Sequence, residues 1–411
     1  MHGHRHPFPD PKSTPVLLDV TRLVELRWTG RQLNGIDRVC VAYARHFADV
    51  ARAVVQHRGV IRVIGAGASR HLFNLLVQGG SSTRTRIAGH LAAALAAPLR
   101  PQPGSLYLNV THTDFDLPAH GQWIARHALR PIYLVHDLIP VLHPEYCRPH
   151  AVARHEGRVT AALTQGSGII VATHAVARDL HDHAARHSLP EPPIVVAPLA
   201  GADLKPNDAH AASTEDYFLC VGTIESRKNH QHLLRVWQRI HARRGPATPR
   251  LVIVGRWGWG SEDFRSALQA SGMAGGLISI LDDCDDVGLA SLMAGARAML
   301  MPSLAEGFGL PMAEALTLGT PVIASDLPCF REVGQGIPCL LDPHDVTSWA
   351  RRIEALDLAA ARRQRRVDAL HGYCPPRWDD HFATITPWLA AIVGTSPIVP
   401  APSRHRFNVE P

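Results

Sequence analysis

"RAMLMPSLAEGFGLPMAEALTLGTPVIAS" occupies residues 297–325. "RAMLMPS" is a short apolar run that closes on Pro302, the pattern of a buried strand. "LPMAEALTLG" carries helical spacing, with Pro311 suited to the first turn and Gly319 to the end. "PVIAS" reads as a second buried strand. Strand, helix and strand in succession form one unit of a parallel sheet. The bare loop "SLAEGFG" then lies at the carboxyl end of its strand, where open α/β sheets bind ligands. Gly307 and Gly309 remove side chains there and let a ligand approach the backbone. The freed N–H groups and the helix dipole favour phosphate. Glu306 and Glu314 flank the turn. An ionised carboxylate only accepts hydrogen bonds, so its natural partners are hydroxyls. A vicinal diol can donate to both oxygens of one carboxylate. Phosphate on the amides and sugar hydroxyls on the glutamates together describe a nucleotide sugar. A loop whose glutamates are merely solvated or capping fits the turn chemistry equally well.

The same alternation extends in both directions. Before the quoted stretch come "YFLCVG", "HQHLLRVWQRIHARR", "RLVIVG", "EDFRSALQASG", "LISIL" and "DVGLASLMAGA". An earlier series runs from "VLLDV" (16–20) through "IDRVCVAYARHF", "AVVQH", "RVIGA", "SLYLNV" and "PIYLVHD" to "GSGIIVAT" and "PIVVAPLA". The expected fold is α/β, with two doubly wound parallel sheets facing across a cleft. The expected boundaries are a first domain over 15–202, a linker over 203–216 and a second domain over 217–375. A C-terminal helix over 376–394 lies beyond the second sheet. The Pro-rich tails 1–14 and 395–411 read as disordered.

"FLCVGTIESRKNHQHLL" (218–234) repeats the strand–loop–helix pattern. Arg227 and Lys228 fall just before a helix whose cap is Asn229. Paired cations at the end of a strand can neutralise a diphosphate and stabilise it as a leaving group. Alone, such a pair is usually a solvated turn.

The bulk properties restrict the alternatives. Apolar content of 46% and charged content of 19% describe an ordinary globular chain. No apolar run reaches the ~18–20 residues a membrane span needs, and the N-terminus shows no secretory signal, so a cytoplasmic protein is expected. The seven cysteines include no C-x-x-C pair and read as free thiols. No metal-ligand spacing appears among the histidines. Residues 1–210 hold 22 Lys+Arg against 15 Asp+Glu, a net +7, whereas residues 211–411 carry −1. Such asymmetry suits an anionic partner on the first half, or a merely solvated basic surface. A helix after "YCRPH", with Arg148, Arg154 and Arg158 beside Ala151, Val152, Val159 and Ala162, could rest on anionic lipid at the inner membrane face. Nucleic acid fits poorly, because no basic stripe is interleaved with aromatics.

"VGTIESRKN", "VIVGRWGW", "PSLAEGFGLPMAEAL" and "GTPVIASD" resemble the C-terminal domain of glycosyltransferase family 4, whose E-x7-E signature is matched by Glu306 and Glu314. "LDVTRLV", "GIDRV" and "PIYLVHDLIPVLHPEY" resemble the N-terminal domain of bacterial members that build surface polysaccharides, many of them mannosyltransferases. The resemblance implies two facing Rossmann-like domains, the GT-B arrangement, and a retaining transferase with no cofactor besides its donor. That donor would be GDP-mannose or a related sugar nucleotide, and the acceptor a glycan or lipid-linked oligosaccharide. Glu306 and His136 would stand at the reacting sugar. The amides of Gly307, Phe308, Gly309 and Leu310 would hold sugar and phosphate, and Glu314 the ribose diol. Arg227 and Lys228 would clamp the diphosphate, and Gly35 would leave room for it. The base pocket would lie near Asp282 to Asp285. One departure is Thr223, where many members carry Arg. A glycosidase carboxylate pair, a nucleotide-sugar epimerase and a non-catalytic nucleotide-sugar-binding protein are the competing readings. The phosphate-friendly loop counts against the first.

Overall fold

The computed structural model describes residues 15–31, 33–79, 83–96, 98–205, 217–356 and 372–394. The two tails and most of the expected linker, 206–216, lie outside the described residues. The first sheet comprises β1 (Val16–Asp19), β2 (Ala51–His57), β3 (Val60–Val63), β4 (Leu106–Asn109), β5 (Arg130–Val135), β6 (Gly168–Val171) and β7 (Ile194–Val196). Their spatial order is β3-β2-β1-β4-β5-β6-β7. The second sheet comprises β8 (Tyr217–Val221), β9 (Arg250–Val254), β10 (Ile278–Leu281), β11 (Met299–Met301), β12 (Val322–Ser325) and β13 (Cys339–Leu341), ordered β10-β9-β8-β11-β12-β13. Central strands such as β1 and β12 are buried along their whole length, as strands covered by helices on both faces must be.

The expectation of two wholly parallel sheets holds for the second and fails at one edge of the first. β3 runs antiparallel to β2. Only Arg58 and Gly59 join them, at φ 48° and 83°. Two left-handed residues make a tight hairpin turn, and two residues cannot span a parallel crossover.

The first domain's strand order turns at β1 and β4, the second's at β8 and β11. Both switch points face one cleft. The C-terminal helix is present as Trp378–Gly394 and crosses back to the first domain. The His381 ring bonds the Tyr43 hydroxyl at 2.9 Å and lies 3.1 Å from the Ala197 and Pro198 carbonyls. A Cβ on Gly168 would come within 2.5 Å of Trp388, so β6 admits that helix only because it carries glycine there. Among the described residues, no helix is long and apolar enough to cross a membrane.

Candidate functional site

The helix Leu310–Thr317 begins where the sequence places it, with Pro311 in its first turn and Gly309 preceding it at φ 94°. A Cβ on Gly309 would lie 2.6 Å from the Phe330 ring. Among the described residues, the amides of Gly307, Phe308, Gly309 and Leu310 donate to no protein acceptor. They are orphan donors at a helix start, which suits an anion. Gly307 also serves a purpose the sequence does not disclose. A Cβ there would come 2.2 Å from the His136 carbonyl oxygen and 2.9 Å from the Asp137 side chain. Its bareness lets the two domains touch.

Glu306 is buried between cations. Its carboxylate pairs with Arg227 at 3.0 Å and with Lys228, and it accepts from the Ser303 hydroxyl at 2.9 Å. Burial alone would raise its pKa, but Lys228 and Arg227 hold it at about 2, so it is ionised at any neutral pH. Arg227 also pairs with Glu225 at 2.7 Å. Asn229 occupies the start of the helix His230–Arg244, yet its side chain does not cap it. At φ 57° it turns back and donates to the carbonyls of Pro302 and Pro343, each at 3.1 Å. The expected helix cap is therefore a strut that fastens the cation loop to the glutamate loop.

Glu314 is buried, and one of its oxygens accepts from the Ala202 amide at 2.9 Å. Burial raises its pKa above the ordinary carboxylate value. Lone pairs remain on both oxygens for further donors. Gly201 permits the approach, since a Cβ there would lie 2.7 Å from the Glu314 side chain. His136 is buried at the end of β5, and its Nε2 lies 2.9 Å from the Val110 carbonyl. A carbonyl only accepts, so Nε2 carries the proton and Nδ1 is left as an acceptor. Burial lowers its pKa and keeps the ring neutral at pH 7.

Gly35 does not follow the first strand directly, because the helix Thr21–Thr29 intervenes. It opens the helix Gly35–His46, which Asn34 and Asp37 cap reciprocally. A Cβ on it would meet Leu310 at 3.0 Å, so this glycine too allows a close approach between domains.

All ten residues singled out from the sequence line one cleft between the domains, with a volume of about 540 Å³. That lies within the ~300–1,000 Å³ range of small-molecule sites. Asp282 and Cys284 of the expected base pocket line it as well. Sequence reasoning missed Arg38, which lines the cleft and clamps Asp286 through two bonds of 2.6 and 3.1 Å. It also missed Glu332, which caps the helix His174–Arg186 of the facing domain at 2.8 and 3.3 Å. Neither pair could be found locally, since the partners are 248 and about 158 positions apart.

Part of the basic helix is engaged within its own domain. In Pro149–Gln165, Val159 and Ala162 are buried in the first domain's core. Arg154 bonds Asp114 and Asp116 at 2.8–2.9 Å, and Arg158 reaches Asp116 at 3.2 Å. Ala151 and Val152, nearer the helix start, are half-buried, and both arginines within the helix are paired with carboxylates.

Residues 215–357 match the family model described as Glycosyl transferases group 1. Over 219 residues the chain is 28% identical to the serotype-specific mannosyltransferase WbdA of Escherichia coli, covering 49% of this chain and 27% of that protein. It is 35% identical over 139 residues to the O-antigen chain mannosyltransferase B of Escherichia coli, covering 34% and 36%. The chain thus spans about a third or less of the length of these relatives. HepE of Anabaena, solved with UDP and glucose, superposes with a TM-score of 0.63 at 16% identity, over 92% of this chain and all of that one. The second domain thus matches the group 1 glycosyltransferase model over residues 215–357, and the chain has the two-domain GT-B fold.

Proposed function

We propose that the protein is a retaining glycosyltransferase. It takes a hexose, mannose or a close relative, from a nucleotide sugar and adds it to a surface polysaccharide or lipid-linked oligosaccharide. The observation that carries this reading is the convergence on one cleft of Glu306, Glu314, Arg227, Lys228, His136 and four unbonded amides. Glu314 accepts the ribose diol. The amides and the two cations receive the diphosphate, and developing charge on the leaving group is stabilised there. Glu306 is unsuited to general acid catalysis, because its proton is lost far below neutrality. Neutral His136 offers Nδ1 to a sugar hydroxyl. Attack from the face the diphosphate leaves then rests on positioning and charge stabilisation. The mannosyltransferase relatives favour mannose and an O-antigen-type acceptor; the UDP and glucose bound by HepE favour a nucleotide sugar in general.

A panel of radiolabelled nucleotide sugars, assayed for hydrolysis and for transfer to bacterial lipid and polysaccharide fractions, tests the proposal. One donor should turn over well above the rest. Turnover of none would overturn it, and interconversion of sugars without transfer would favour an epimerase.

A further inference from the structure

Among the described residues, four cations line the cleft: Arg38, Arg227, Lys228 and Arg256. Three are engaged by carboxylates. Arg38 is clamped on Asp286, Arg227 on Glu225 and Glu306, and Lys228 on Glu306. In that last cluster two cations face two carboxylates, so it presents no net charge to an incoming diphosphate. Arg256 is exposed and pairs with no carboxylate among the described residues.

Its position is fixed by backbone. β8 and β9 remain zipped beyond their ends: Gly222 donates to Val254 at 2.9 Å, Ile224 to Arg256 at 2.8 Å and Gly258 to Ile224 at 2.8 Å. Two glycines allow this closeness. A Cβ on Gly255 would fall 1.9 Å from the Gly222 carbonyl, and one on Gly258 would fall 2.7 Å from the Thr223 methyl. Neighbouring strands lie ~4.8 Å apart. Arg256, just past the end of β9, therefore leaves the backbone beside Thr223.

Given the nucleotide-sugar reading above, on which this rests, we infer that Arg256 supplies the positive charge that first engages the donor diphosphate. Arg227 and Lys228 join when the diphosphate competes with Glu306 for them. A guanidinium suits the task, because its fork can bond two phosphate oxygens at once.

Calorimetry with GDP and UDP, each beside its nucleoside, tests the inference. Arg256→Ala should weaken the preferred nucleoside diphosphate at least tenfold and leave the nucleoside unchanged. Thr223→Arg added to Arg256→Ala should recover part of the loss, because it places a cation on the adjacent strand. Equal diphosphate affinity in Arg256→Ala and the unvaried protein would overturn the inference and leave the nucleotide reading standing. Failure of the unvaried protein to bind either diphosphate would overturn both.

Discussion

Two arginine-bearing regions look alike in the sequence and differ in the structure. "SRKN" carries Arg227 and Lys228; the helix Pro149–Gln165 carries Arg154 and Arg158. Both sets of cations are paired with carboxylates. In the helix the partners are Asp114 and Asp116 of the same domain, and the Arg154 side chain is 43% exposed. In the cleft the partners are Glu306 and Glu225; Glu306, at 8% exposed, is no more buried than Asp116 at 9%, but the cleft carboxylates line the cavity and Asp114 and Asp116 do not. A pair that faces away from the cleft only ties one part of its own domain to another. A buried pair that lines a ligand cleft is poised to exchange one anionic partner for another. Where the carboxylate stands, rather than how many cations there are, separates a scaffold from a site.

Lys228→Ala should break the comparison most visibly. Losing one charge stabiliser at the leaving group should lower transfer by ~10²-fold or more. Arg154→Ala with Arg158→Ala should leave transfer within twofold under the same assay, since neither residue lines the cleft. Glu306→Ala should lower turnover while tightening the binding of a nucleoside diphosphate, because it releases Arg227 and Lys228. Unchanged turnover would remove Glu306 from the reacting centre.

Glu314→Ala should weaken donor binding about tenfold to hundredfold, the scale of losing hydrogen bonds to a charged group. The same residue gives a pH signature. Its pKa is raised, and only the ionised form accepts from both diol hydroxyls. Donor affinity should therefore fall with decreasing pH, beginning above the ~4.3 at which an ordinary glutamate titrates. The decline should be absent in Glu314→Ala, as calorimetry from pH 7 to 5 would record.

The smallest effects belong to the basic helix. Arg154→Ala and Arg158→Ala should each lower stability by about 1 kcal/mol, measured by urea unfolding. Neither should alter co-sedimentation with anionic vesicles. Vesicle binding that needs anionic lipid, fades in high salt and disappears in the double variant would restore that helix as a lipid contact.

The two domains and most of their strands could be read from the sequence, because buried strands are apolar throughout; the glutamate and cation loops follow strand ends, whereas His136 and Gly35 were pointed to by the family resemblance alone. The antiparallel direction of β3 was missed because alternation alone does not distinguish a two-residue hairpin from a short crossover; "RG" was the available signal. The pairing of Glu306 with Lys228 joins residues 78 positions apart, and no local pattern records it. Ser303, three residues before Glu306, was within reach of a local reading. The bareness of Gly307 and Gly35 was read as room for a ligand. The structure adds that both glycines let the domains meet, a constraint carried entirely by residues distant in sequence.

The central claim is that this cleft holds a nucleotide, with Glu314 on its ribose. Comparing the affinity of the preferred ribonucleoside diphosphate with that of its 2′-deoxy counterpart tests this most directly. The account predicts that the ribo form binds at least about tenfold more tightly and that Glu314→Ala abolishes the difference. Equal affinities in the unvaried protein, or a preference that survives Glu314→Ala, would contradict it.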